Sequence, residues 1–304
     1  MEITGFDLRE DRRDNARKRY QIETVERIAD IQFEKIGAII ISTPPDKHNA
    51  YIRLAIDKGK PVFVEASMIL HGLHELNQLA KDNNVFVAPS CTMKFHPAIK
   101  KIKEILQSEQ YGKVKDFCYY SGQYLPDWHP WEEIRQFYVS KKETGGCREI
   151  VPFELTWIVD LFGFPTAING FYGKTTDFGV DIDDTYVLSL NFGDVYGNVT
   201  VDVVSRYGLR HLILNMEHGH MTWRWDENRI RVYEPTYNRW IDYDLPQGLI
   251  EQGYNKNINE DMYIDEIRSF IDALRGKSVF PNSLDNDIKI LALLYQFEEE
   301  SSPR

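Results

Sequence analysis

Between residues 3 and 107, short runs of continuous aliphatic residues alternate with amphipathic segments, and this alternation most narrows the folds open to the chain. An aliphatic run without polar alternation needs apolar cover above and below. That is the condition of a strand in a parallel sheet flanked by helices. Strands are expected over 3–7, 37–43, 61–64 and 85–88, with Ile39, Ile40 and Ile41 buried on both faces. Helices are expected over 11–19, 23–32, 47–58, 70–82 and 97–107. The second rests on Val25, Ile28 and Ile31 lying three apart; the last has Pro97 in its first turn and Ile99, Ile102, Ile105 and Leu106 as its buried stripe. Gly59 suits the end of the third, where a left-handed residue closes a helix.

After about residue 114 the runs lengthen, alternate and become rich in aromatics. Strands are expected over 115–123, 167–173, 185–192, 197–205, 210–217, 220–225 and 229–234. Such alternation describes an antiparallel sheet with one face toward solvent, a helix or a partner. Helices are expected over 150–162, 259–275 and 284–298. At 304 residues the length favours two domains. The change of texture divides the chain into 1–110 and 111–304: a Rossmann-like α/β unit, then an α+β unit with a large open antiparallel sheet.

A net charge of −11 and an isoelectric point near 5.3 argue against a nucleic-acid or anionic-membrane partner, since both repel an acidic surface. Cys91, Cys118 and Cys147 are too few and too scattered for a disulfide framework or a zinc site, and His218 and His220 have no further ligand pattern beside them; no metal is expected. No apolar run is long enough to span a bilayer, and the first residues are charged where a signal peptide is apolar. A cytoplasmic protein is expected.

Ser42-Thr-Pro-Pro45 with His48 ends one expected strand and opens a helix, and Gly59-Lys-Pro-Val-Phe-Val-Glu65 ends the next. In a doubly wound sheet ligands lie outside the carboxyl ends of the strands, so both segments would line one crevice. At this separation the pair resembles the Gfo/Idh/MocA family, which has a Thr-Pro-x-x-x-His segment and then a strand ending in Glu-Lys-Pro. The resemblance continues through Met93-Lys94-Phe95-His96-Pro97, through Gly112-Lys-Val, and through Gly122-Gln-Tyr-Leu-Pro-Asp-Trp-His-Pro-Trp131. The last of these is similar to a sub-branch associated with surface-polysaccharide and nucleotide-sugar genes. The segment from Tyr263 to Phe270 is similar to the family's closing helix.

The resemblance implies NAD- or NADP-dependent oxidation or reduction of a hydroxyl on a sugar or nucleotide sugar, by a homo-oligomer joined through the C-terminal sheet. It implies cofactor contacts from Asp7, Arg9, Thr43, Pro44, Pro45, His48, Glu65 and Ala66, and substrate contacts from Lys94, Tyr124, Trp128, Trp131 and Arg148. Three departures set this chain apart. No Gly-x-Gly-x-x-Gly turn occurs, and the sequence opens on what would be the family's second strand; the missing central strand would leave a pairing gap for another segment or chain. Glu65-Ala66-Ser67 stands where the family has Glu-Lys-Pro, and a methyl group cannot assist proton transfer. In Gly145-Gly146-Cys147-Arg148-Glu149-Ile150-Val151-Pro152-Phe153-Glu154, Ile150 and Phe153 occupy the places of the family's Asp and His. The proton-handling candidates are then His129, Glu149 and Glu154. The alternative is a catalytically silent relative that binds a sugar or nucleotide or serves in assembly.

Overall fold

The computed structural model describes residues 2–128, 133–136, 138–246, 248 and 260–301. Two small parallel sheets come first. β1 (Thr4–Phe6) pairs with β2 (Glu23–Val25) around α1 (Glu10–Tyr20). β3 (Ile39–Ile41), β4 (Val62–Val64) and β5 (Val87–Pro89) form a three-stranded parallel sheet, with α2 (His48–Asp57) and α3 (Leu73–Asp82) as its crossovers. The two sheets share no ladder. On β3, Ile41 packs with Ile52, Ile56 and Leu76, whereas Ile40 on the opposite face is 53% exposed. The expectation that this strand is covered on both faces is therefore corrected: its neighbour Phe63 is buried by Phe270 and Phe280, but that cover stops short of Ile40.

The expected helix over 23–32 is also corrected. It is β2 followed by a single 3-10 turn at Ile28–Asp30. Three apolar residues make too short a stripe to outweigh β-branched Thr24 and Val25, which favour extended backbone. The helix at the end of the first series, α4 (Pro97–Gln107), buries Ile99, Ile102 and Ile105 as its spacing requires.

The second unit is an eight-stranded sheet. It contains β6 (Val114–Tyr124), β7 (Ala167–Gly173), β8 (Thr185–Asn191), β9 (Tyr196–Asp202), β10 (Val204–Met216), β11 (Gly219–Arg224), β12 (Arg229–Glu234) and β13 (Arg239–Asp244). Their order is β13-β12-β11-β10-β6-β9-β8-β7, and every pairing is antiparallel except β6 with β9. The sheet is mixed rather than purely antiparallel, and β13 is a strand the sequence reading did not anticipate. The inner face of the sheet buries Tyr119, Tyr186, Leu212 and Trp223, and Trp157 of α5 (Cys147–Phe162) meets Tyr119 there.

The chain ends with α6 (Asp261–Leu274) and α7 (Leu284–Glu300). Both return to the first unit, across the expected boundary. Leu284, Ile288 and Leu291 join the core of the three-stranded sheet. Glu266 accepts hydrogen bonds from Ser90 Oγ, Thr92 Oγ1 and the Cys91 N–H, tying α6 to the end of β5.

Asp287 is buried in the first turns of α7, and burial alone pushes its carboxyl up to about 7 from 3.8. Because the folded pKa is the higher one, the stability it contributes is present in acid and lost as pH rises from about 4 to 7. Asp287→Asn should therefore be more stable than the natural protein at pH ~8, by about 1–3 kcal/mol, and should lose that advantage at pH ~4. Urea unfolding at the two pH values checks this. Equal midpoints at the higher pH would contradict it.

Candidate functional site

A cavity of about 270 Å³ lies where the two units meet. Glu65 and Ala66 enter it from the end of β4 and Thr92 from just beyond β5, where a parallel sheet presents its loops. Gln123 comes from β6, Leu209 and Arg210 from β10, and Trp225 from just after β11; α5 supplies Glu149, Ile150 and Phe153, and α6 supplies Met262 and Tyr263. Trp128, Gly122 and Gly208 complete the described wall.

The titratable groups at this cavity are unusual. Burial raises the Glu65 carboxyl to about 7, helped by the charge of Glu266 and opposed by the Ala66 N–H. Burial likewise raises Glu149 to about 7; the Tyr138 hydroxyl works against the shift and the Glu65 charge adds to it. Tyr138 donates to Glu149 Oε1 at 2.6 Å, while Oε2 is buried with no partner among the described residues. Trp128 Nε1 is buried and likewise without an acceptor. A half-ionised carboxyl with one open oxygen can hold or release a proton near neutral pH.

Glu154 sits behind this wall with no solvent exposure. Its oxygens accept from Arg210 Nε at 2.8 Å, Tyr119 Oη at 2.8 Å, Ser121 Oγ at 3.0 Å and Trp157 Nε1 at 2.8 Å. That set fills its lone pairs, so it holds Arg210 in place rather than facing the cavity.

The other residues singled out from sequence are dispersed. Lys94 does not line the cavity: its Nζ donates to Asp160 at 3.2 Å and to the Pro281 carbonyl at 3.0 Å. Arg148 is buried on Glu298, with its Nε at 2.8 Å from Oε1, and also bonds the carbonyls of Met68 and Glu143. Tyr124 lies under the Arg206 guanidinium at 3.8 Å and edge-on to Phe178. His129 and Trp131 lie outside the described residues.

Thr43 stands at the end of β3, beside Glu65 on the neighbouring strand; the Glu65 N–H bonds the Ile41 carbonyl at 3.0 Å. Thr43 is not among the residues of the cavity wall, but its Oγ1 is buried without a partner among the described residues. Pro44 is exposed, Pro45 is buried, and His48 Nε2 pairs with the Thr43 carbonyl at 2.8 Å, its pKa lowered by burial. Asp7 caps the turn after β1 by accepting from the Arg9 N–H at 2.8 Å, and Arg9 itself pairs with Asp11.

Arg210 and Trp225 were not singled out from sequence. The available signal was a cation at the head of an aliphatic strand, answered by an acidic residue inside a helix of buried character. No cluster of three or more His, Cys, Asp or Glu suited to a metal occurs among the described residues, and none of their helices is long and apolar enough to cross a membrane.

Residues 3–90 match the model of a family described as oxidoreductases with an NAD-binding Rossmann fold, GFO_IDH_MocA. An oxidoreductase of Formosa agariphila is 40% identical over 87 residues, 28% of this chain and 27% of that protein. The match thus spans little more than a quarter of that relative. Among solved structures, an Agrobacterium radiobacter oxidoreductase in complex with NAD+, L-tartaric acid and magnesium superposes with a TM-score of 0.84 at 14% identity, over 98% of this chain and 87% of that one. A UDP-N-acetylglucosamine 3-dehydrogenase of Acidithiobacillus ferrooxidans gives 0.77 at 14%, covering 98% and 89%. A levoglucosan dehydrogenase in complex with NADH and levoglucosan gives 0.79 at 14%, covering 98% and 87%.

Proposed function

We propose that the protein, whose residues 3–90 match the GFO_IDH_MocA family of NAD-binding oxidoreductases, oxidises or reduces a hydroxyl carbon of a sugar or nucleotide sugar in the cavity between Glu65 and Glu149. The observation that carries this reading is Glu149, which lines a cavity at the end of β4 and whose buried Oε2 has no partner among the described residues. The similarity of 122–131 to a polysaccharide-associated branch supports a setting in surface-polysaccharide assembly. Phe171 and Tyr196, 57% and 63% exposed on the outer face of the large sheet, support association with a second copy there.

The residues present fit a nicotinamide dinucleotide at its two ends. Thr43 offers an unpartnered hydroxyl at the end of β3, next to Pro44 and Glu65. Asp7 sits at the end of β1, where a carboxylate can receive ribose hydroxyls, with Arg9 two residues on. When bound, the cofactor supplies or accepts the hydride. The protein's part is to orient the substrate and handle the proton. With Ala66 presenting only a methyl group, that task falls to Glu149: Tyr138 fixes Oε1, and Oε2 takes the hydroxyl proton in oxidation or returns it in reduction.

A second reading, a binding subunit without turnover, is favoured by the same Ala66 and by Glu154 being consumed in internal bonds. Incubating the protein with NAD+ or NADP+ and a panel of sugars and nucleotide sugars, and following formation of reduced cofactor, separates the two. Turnover with one member of the panel is the expected result. Saturable sugar binding without any turnover would favour the silent subunit.

A further inference from the structure

Arg210 is the one cation in the described cavity wall, and most of its hydrogen-bonding capacity is unused. Its Nε donates to Glu154, while neither Nη has an acceptor among the described residues. The side chain is only 13% exposed, so those donors are directed into a confined space and not into bulk solvent. The guanidinium carbon lies over the Trp225 ring, 4.6 Å from its centroid, and His96 stacks on Trp225 at 4.8 Å. Glu154, held in turn by Tyr119, Ser121 and Trp157, fixes the other edge. An arginine locked by one edge and one face, with its fork open, is organised to receive an oxyanion through two parallel bonds.

We infer that Arg210 binds an anionic group on the substrate, a carboxylate or a phosphate carried by the sugar, and so sets the substrate class of the cavity as acidic sugars. The inference rests on the reading of this cavity as the substrate site. The remaining contents agree with it. Trp128, in the same wall, has a buried Nε1 donor without an acceptor among the described residues. Glu65 and Glu149 are the acidic groups there, and burial keeps each near half-ionised at neutral pH, so they do not form a fixed negative wall opposite the arginine. Tyr263 is raised above its ordinary pKa and stays neutral. For Arg210, burial works against the charge, but the Glu154 carboxylate more than offsets it, and the guanidinium stays charged throughout the working range.

The test is calorimetric titration of the full chain with D-glucuronate, D-glucose 6-phosphate and D-glucose, without cofactor. At least one anionic probe should bind at least ~10-fold more tightly than glucose, and which one does so identifies carboxylate or phosphate as the anion. Arg210→Gln should abolish the preference. Because that change leaves Glu154 buried without its counter-charge, the double variant Arg210→Gln with Glu154→Gln, which removes both charges together, is measured beside it. Equal binding of all three probes by the natural protein, or a preference surviving in the folded double variant, overturns the inference. The redox reading fails separately: hydride transfer on glucose with no anion preference keeps the oxidoreductase and removes the anion site, whereas an Arg210-dependent preference without hydride transfer does the reverse.

Discussion

Glu154→Ala should destabilise the protein by about 3–5 kcal/mol, the range for breaking a buried ion pair by removing one partner. The carboxylate has no exposure and collects four donors, from Arg210, Tyr119, Ser121 and Trp157. Alanine would leave a guanidinium of 13% exposure without its counter-charge and three buried donors without acceptors. It would also open a void beside Trp157 and Tyr119, which meet edge to face at 4.9 Å. Glu154→Gln keeps the volume and one of the two acceptor oxygens, so it should lose less than the alanine variant does. Urea midpoints for the two variants measure the difference. A loss below about 1 kcal/mol in the alanine variant would mean that the network does not hold this helix to the sheet.

Glu149→Gln should reduce turnover by about 10²–10⁴-fold while leaving cofactor affinity within twofold, because the amide cannot accept or return a proton. The folded structure should tolerate it: Tyr138 can still donate to the amide oxygen, and the change removes a carboxyl whose burial already opposes its charge. In the natural protein, oxidation requires Glu149 deprotonated, so its rate should rise with pH through about 7; reduction requires the proton and should fall through the same range. A pH profile without a break there, or a variant with undiminished turnover, would remove Glu149 from the chemistry and return attention to His129.

The parallel sheet was legible because continuous aliphatic runs such as Val62-Phe-Val64 leave few alternatives to a strand covered on both sides. Two elements were not. Residues 23–32 offered three apolar positions at helical spacing, but β-branching and pairing with β1 prevailed. β13, Arg239-Trp-Ile-Asp-Tyr-Asp244, alternates as a strand should, yet its charged residues masked the pattern; in the fold Arg239 meets Glu234 and Asp242 meets Arg229 and Arg231 on β12.

The cavity itself was half legible. Glu65, Ala66, Glu149 and Trp128 were singled out in the sequence and line it. Lys94 and Arg148 were expected at the substrate through the family resemblance, but their partners Asp160 and Glu298 lie 66 and 150 residues away along the chain. Only the fold could show those charges to be answered. Arg210 was missed for the converse reason: its strand reads as core, and nothing local shows that two of its three nitrogens are left open.

A nicotinamide ring bound to this protein should reach the cavity lined by Glu65, Trp128 and Trp225. Exciting the protein's tryptophans while titrating NADH tests it directly, since energy passes to the reduced nicotinamide only when it binds close by. Saturable sensitised emission, weakened in Trp225→Phe, is the predicted result. Absence of any saturable signal up to millimolar NADH would contradict binding of the nicotinamide at this cavity.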